Sequence, residues 1–192
     1  MGVLFAVTAL LLAEITAATG IRPHPGVAFG TLLGLGAFTT YSWVTQFEAP
    51  RSYLRYPVSY GAVFAGAMRA YLVLSLATAV GYLAVATVWY PVGEVAVGLL
   101  VVPGVAGYVF GVSAYLTGLA PNELLFDTAS FAGFGAALAV VAVPLLVAAL
   151  VVSAGPTVAV GGAVALSALA GGVGRWLTAR AGPKWERRLT NT

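Results

Sequence analysis

Residues 95–117 read VAVGLLVVPGVAGYVFGVSAYLT and contain no charged side chain. An α-helix crosses the hydrocarbon core of a bilayer with about 20 apolar residues, so this stretch is long enough to span a membrane. It is bounded by Pro91 and Gly93 on one side and by Gly118 on the other, residue types that are typical of turns. The stretch therefore predicts a transmembrane helix.

The whole chain shares this apolar character. Of its 192 residues, 60% are hydrophobic and only 8% are charged, whereas an ordinary soluble domain has roughly 25% charged residues. This composition excludes a soluble enzyme, a disordered tail and a nucleic-acid-binding module, and it indicates a multi-pass membrane protein. The absence of cysteine and the single histidine exclude disulfides, thiolate metal sites and a polyhistidine site within one chain, so we expect no metal and no cofactor.

Six stretches are long and apolar enough to be transmembrane helices. Proline and glycine separate most of them, as expected where a chain turns between helices. The predicted fold class is therefore all-α: a polytopic membrane protein with six transmembrane helices and a basic tail at 179–192. The predicted spans are residues 2–19, 26–46, 61–90, 95–117, 130–153 and 157–178.

Basic residues indicate how these helices are oriented. With six spans, both termini lie on one side, together with the 47–69 connection, and eight of the nine basic residues fall there. Only Arg22 falls on the other side. Because loops rich in Lys and Arg stay in the cytoplasm, we expect cytoplasmic N and C termini and a location in the cell membrane.

Glu14 is the only ionisable side chain deep in a clear span. A carboxylate at the middle of a membrane costs about 3 kcal/mol, so such residues are usually functional. One interpretation places Glu14 on a transport path. The other is a protonated or hydrogen-bonded carboxyl group, satisfied by Thr8, Thr16 or the hydroxyl groups of a neighbouring helix.

Residues 47–59 read FEAPRSYLRYPVS and form the longest polar connection. Arg51 and Arg55 are four residues apart and would share one face of a short helix. Tyr53 and Leu54 could lie at the headgroup level. Two interpretations follow: a basic loop that anchors the protein to anionic lipid, which physical reasoning alone favours, or a short cytoplasmic helix that docks into another protein.

The same residues resemble the membrane subunit of ABC-2-type exporters. The resemblance rests on Phe47-Glu48, on Arg51, on the Leu-x-x-Pro-Val-Ser pattern at 54–59, and on the third span that follows. It implies that this connection is a cytoplasmic coupling segment, on which a separate ATP-binding subunit sits. It also implies a homodimer or a second permease half as a partner.

The chain departs from this family at its beginning. ABC-2 membrane subunits usually carry a cytoplasmic amphipathic helix before the first span, whereas the apolar run here begins at Gly2. We therefore expect either a reduced member of the family or the later part of a longer permease.

The connection after the fourth span contains a pair of carboxylates, Glu123 and Asp127, four residues apart. They would share one face of a helix, and either a short surface helix or a second contact with the ATPase is expected there. The residues predicted to couple the chain to an ATPase are thus Glu48, Arg51, Tyr53, Leu54, Arg55, Pro57, Glu123 and Asp127.

The remaining chemistry-bearing residues favour transport over catalysis. The chain has no Gly-x-x-x-x-Gly-Lys-[Ser/Thr] motif, and its single lysine, Lys184, lies in the tail, so ATP would have to be bound by another chain. One carboxylate in a span and one histidine do not make the cluster that an intramembrane enzyme needs. We therefore predict a permease subunit without enzymatic activity; the alternative is a stand-alone secondary transporter or channel that uses Glu14.

Three smaller predictions concern packing and the surface. Gly30 with Gly34 and Gly107 with Gly111 have the four-residue spacing that lets helices approach closely. His24, between two prolines, is expected to be a solvated turn residue. The tail at 179–192, with Trp185 among basic side chains, is expected to anchor the protein to lipid rather than to contact protein.

Overall fold

The computed structural model describes residues 1–45, 58–119, 128–151 and 156–190, and these residues form seven helices without a strand. Five of the helices are long and apolar enough to cross a membrane, so the all-α polytopic fold is confirmed. The helices are α1 (Gly2–Thr19), α2 (Pro25–Gly36), α3 (Phe38–Thr45), α4 (Tyr60–Ala86), α5 (Val92–Thr117), α6 (Thr128–Val151) and α7 (Pro156–Thr190).

The second predicted span is divided into two helices, α2 and α3, which meet at Ala37. The N–H of Ala37 bonds both to Leu33 O (3.0 Å) and to Gly34 O (3.3 Å), so the helix tightens as it ends. The hydroxyl of Thr39 donates to Gly36 O at 2.9 Å, and this bond satisfies a carbonyl group at the break, as a membrane interior requires. The two helices contain 12 and 8 residues, together about the number that one membrane span needs.

Helix α5 is the centre of the bundle. In its most apolar stretch 72% of the residues are buried, against 11% in α1 and 22–28% in α4, α6 and α7. Most of α2 is buried as well, mainly against α5. Helices α1, α4, α6 and α7 therefore leave most of their apolar residues at the surface of the bundle, where lipid would surround them.

Glycine makes the central contacts possible. A Cβ atom at Gly26 of α2 would lie 2.0 Å from the carbonyl oxygen of Glu94 in α5, and one at Gly30 would lie 3.0 Å from Gly98 Cα. Between α5 and α7, a Cβ at Gly111 would lie 2.2 Å from the carbonyl oxygen of Gly174. The close packing predicted from Gly30/Gly34 is therefore confirmed, and so is that at Gly111, whereas a Cβ at Gly107 would make only ordinary contacts, the nearest at 3.5 Å from Met68 Cε.

We expect Gly111→Ala to destabilise the protein by about 1–3 kcal/mol, because the added methyl group would push α5 away from α7. The matched control is Gly133→Ala in α6, where a Cβ would meet nothing within 4 Å. The control should be neutral or slightly stabilising, because alanine is the better helix former. Unfolding of the purified variants by SDS in mixed micelles measures both, and equal stabilities would show that the crossing tolerates a side chain.

Candidate functional site

Three side chains bind the carbonyl groups at the C-terminal end of α5. The indole Nε1 of Trp185 donates to Ala114 O at 3.0 Å, and Lys184 Nζ donates to Tyr115 O at 2.6 Å. The hydroxyl of Tyr41 donates to Gly118 O. The last carbonyl groups of a helix have no partner within the helix, and a cation near them also suits the helix dipole. We call this end of the bundle the basic end.

Gly118 shapes this end of α5. It follows the last residue of the helix with φ 63° and ψ −130°, a backbone conformation that glycine adopts far more readily than other residues. A Cβ atom at this position would also lie 2.9 Å from the ring of Trp185. The indole ring of Trp185 therefore leaves little room for a side chain at this turn.

An aromatic cluster lies directly beneath these hydrogen bonds. The ring of Phe110 is 5.3 Å from that of Tyr41 and 5.1 Å from that of Tyr71, and all three side chains are fully buried. The same cluster includes Tyr60, at the start of α4, and Leu119, just after α5. Ala181 and Trp185 belong to the same cluster, so four chain segments share one core: the α3 helix, α4, the end of α5 and the last turns of α7.

The prediction of a separate tail at 179–192 is corrected by the structure. Helix α7 runs without a break through Gly182 and Pro183 to Thr190, and a Cβ at Gly182 would lie 2.7 Å from Gly61 Cα in α4. Trp185 is only 8% exposed. The bonds of Lys184 and Trp185 to α5 hold these turns against protein, so the segment is part of the bundle and not only a lipid anchor.

Basic side chains stack on aromatic rings along these turns. The guanidinium of Arg180 lies 4.6 Å from the ring of Trp176, and that of Arg188 lies 5.1 Å from the ring of Trp185. Lys184 Nζ lies 4.0 Å from the ring of Tyr115. Such cation–π contacts hold charged groups at a defined place on a surface.

The residues predicted to couple the chain to an ATPase lie outside the described residues, so these predictions stay predictions. Both connections that contain these residues begin at the basic end. The first follows α3 and the second follows α5, and Tyr41 of α3 bonds to Gly118, just after α5. The helix that follows the first connection begins at Tyr60, in the same aromatic cluster. The residues concerned are Glu48, Arg51, Tyr53, Leu54, Arg55, Pro57, Glu123 and Asp127.

Glu14 lies on the exposed face of α1. Of the residues of this helix, only Thr8 and Leu12 are buried. The hydroxyl groups of Thr8 and Thr16 donate to carbonyl oxygens of α1 itself, at 2.6 and 2.7 Å. The described helices therefore place Glu14 away from the centre of the bundle, and its role on a transport path stays a prediction.

His24 is buried rather than solvated, so that expectation is wrong. Its Nδ1 accepts a hydrogen bond from the N–H of Val27 at 3.3 Å and caps the start of α2. Its own N–H donates to Ala149 O near the end of α6 at 2.7 Å. Burial lowers the pKa of His24 below its ordinary value of 6.5, although the charge of Glu94 opposes the shift. A neutral imidazole suits its role as a hydrogen-bond acceptor.

Comparison of the chain with protein-family models, with curated proteins and with solved structures gives no match.

We expect Trp185→Phe to lower the free energy of unfolding by about 0.5–1.5 kcal/mol, the usual net contribution of one hydrogen bond. Ala114 O keeps its bond from the N–H of Gly118, so the loss should not reach the cost of an unsatisfied carbonyl group. Trp176→Phe is the matched control, because Trp176 is 53% exposed. If SDS unfolding showed the same loss of unfolding free energy in both variants, the role assigned to the indole N–H of Trp185 would be wrong.

We expect the free energy of unfolding to fall at acidic pH because His24 becomes protonated. Since its pKa is lower in the folded state, the unfolded chain binds more protons between the two pKa values. The stability that neutral His24 contributes is fully present above about pH 6.5, and it is lost as the pH falls through the pKa of the folded state. His24→Asn keeps a good capping oxygen but does not titrate, so it should lose less stability than the wild type between about pH 7 and pH 5. The prediction would be contradicted if the wild type and His24→Asn lost the same stability between the two pH values, as measured by SDS unfolding.

Proposed function

We propose that this chain is the membrane subunit of an ABC-2-like transporter in the cell membrane. A separate ATP-binding subunit would dock on its basic end and supply the work of transport. The observation that carries the proposal is the junction at this end, where the hydrogen bond from Tyr41 to Gly118 joins the helix before the first predicted coupling segment to the turn that begins the second. One docked partner could therefore reach both segments.

The division of the second span supplies a mechanical argument. Helix α3 is separated from α2 by the break at Ala37, and α2 is fixed against α5 by backbone contacts at Gly26 and Gly30. A push on residues 46–57 would reach α3 first. Because helices bend at local irregularities of this kind, α3 could tilt about the Gly36–Ala37 turn while α2 stays in place.

The proposal also implies which partner chains the protein needs. The chain has no phosphate-binding loop in its sequence, so the ATPase activity would reside in the partner chain. A second copy of this chain, or a second permease half, would complete the transport path. The basic end would then face the cytoplasm, as the distribution of Lys and Arg predicts.

We expect the double variant Arg51→Glu with Arg55→Glu to fold normally and to lose its ATPase. Charge reversal at a contact with a partner replaces attraction by repulsion, which weakens association by at least about tenfold. The measurement is affinity purification of the tagged chain from its native membrane, followed by ATP hydrolysis assays on the eluate. Wild-type eluate should hydrolyse ATP, and eluate of the double variant should not.

The control is Arg22→Glu, which reverses a charge at the end of the bundle opposite the proposed docking surface. This control should keep the ATPase. Wild-type eluate without ATP hydrolysis, or equal hydrolysis with wild type and with the Arg51/Arg55 variant, would contradict the proposal.

A further inference from the structure

A cleft of about 390 Å³ lies at the end of the bundle opposite the basic end. It is bounded by the last turns of α1, by the turn between α1 and α2, and by the turn between α4 and α5. Its size is within the range of small-molecule sites, about 300–1,000 Å³. The polar and aromatic side chains in its wall are Thr16, Arg22, Trp89, Tyr90 and Glu94.

The packing of three helices creates this cleft. Gly26 lets the start of α2 touch the backbone of α5 at Glu94, which brings the two turns together. Helix α1 lies more loosely against the bundle, since only Thr8 and Leu12 are buried. A space therefore remains between the outer half of α1 and the α4–α5 turn.

Aromatic rings lie beneath the cleft. Phe5 of α1 stacks on Phe29 of α2 at 5.1 Å and contacts Tyr82 of α4 at 5.2 Å. Phe29 in turn meets the ring of Tyr90 edge-on at 5.7 Å. These contacts pack α1, α2 and α4 together beneath the cleft.

The two charged groups of the cleft have opposite signs. Arg22 and Glu94 are both exposed, and both line the same cavity. A ligand with a single charge would be attracted by one of them and repelled by the other. A zwitterion can satisfy both, because each of its charges can face the group of opposite sign.

The aromatic side chains add to the attraction for a cation. Trp89 is 65% exposed and lines the cavity together with Tyr90 and Glu94. The faces of such rings attract ammonium groups, and a neighbouring carboxylate strengthens the binding. Tryptophan and tyrosine also concentrate at the headgroup level of membranes, where both lipid headgroups and soluble molecules are present.

We propose that this cleft binds a zwitterion, with its ammonium group at Glu94 and Trp89 and its phosphate or carboxylate group at Arg22. The zwitterion would be either the headgroup of a phospholipid such as phosphatidylethanolamine or a free molecule from solution. The site does not depend on the proposed ATPase, because it lies at the other end of the bundle and contains none of the predicted coupling residues.

Two probes test the proposal on the full-length purified protein. Glycerophosphoethanolamine, a soluble zwitterion, is titrated by calorimetry into protein in detergent. Phosphatidylethanolamine is supplied in nanodiscs of phosphatidylglycerol, and retained lipid is counted by native mass spectrometry. We expect saturable binding of at least one probe. Glycerophosphoglycerol, which lacks the ammonium group, and ethanolamine, which lacks the phosphate, should compete about tenfold more weakly.

Matched variants assign the binding to the cleft. Glu94→Gln and Arg22→Gln should each weaken binding by about tenfold, the effect of losing one charge-assisted contact. Glu14→Gln and Arg69→Gln make the same chemical changes on exposed faces of α1 and α4 and should bind as the wild type does. Glu94→Lys adds a positive test, because a cleft with two cations should come to prefer glycerophosphoglycerol over the zwitterion.

The outcomes separate the two sources of ligand. Binding of phosphatidylethanolamine alone supports a lipid headgroup, and binding of glycerophosphoethanolamine as well supports a soluble zwitterion. The proposal is overturned if neither probe binds saturably to the wild type. It is also overturned if a probe binds but Glu94→Gln and Arg22→Gln bind it as tightly as Glu14→Gln and Arg69→Gln do.

Discussion

The direct contact of helix backbones along α5 is the constraint on which the rest of the structure depends. Hydrophobic burial does little to join helices within lipid, so association relies on close van der Waals packing. The missing side chains of Gly26 and Gly111 allow α2 and α7 to approach α5 until backbone atoms touch. With α5 enclosed on both sides, the remaining helices can pack only around this centre.

Both ends of the bundle follow from this arrangement. At the basic end, the approach of α7 to α5 continues past the apolar span and brings Lys184 and Trp185 to the carbonyl groups of Tyr115 and Ala114 at the end of α5. At the other end, the approach of α2 to α5 at Gly26 brings His24 to Ala149 of α6 and leaves a cleft beside α1. The two ends therefore differ in chemistry: one is cationic and tightly bonded, and the other is concave and carries both signs of charge.

Much of the fold could be predicted from the sequence, because apolar stretches of this length satisfy their backbone groups in a lipid bilayer by forming helices. Helix α1 has the bounds predicted from its apolar run, and α5 begins three residues before the predicted span and ends with it. The break at Ala37 was not predicted, since Gly36 alone does not distinguish a helix that bends from one that continues. The role of Trp185 was also missed: a tryptophan among basic residues has the same pattern whether it meets lipid or a neighbouring helix.

The sequence by itself determined that the chain consists of apolar helices long enough to cross a membrane, because backbone groups in lipid must bond within helices. It also predicts that the basic residues gather at one end, because charged groups must avoid the bilayer core. Only the tertiary structure decided which helix lies at the centre, that His24 is buried and that Arg22 and Glu94 line one cleft. These features depend on which helix faces meet, and a sequence in which nearly every face is apolar carries little information about that choice.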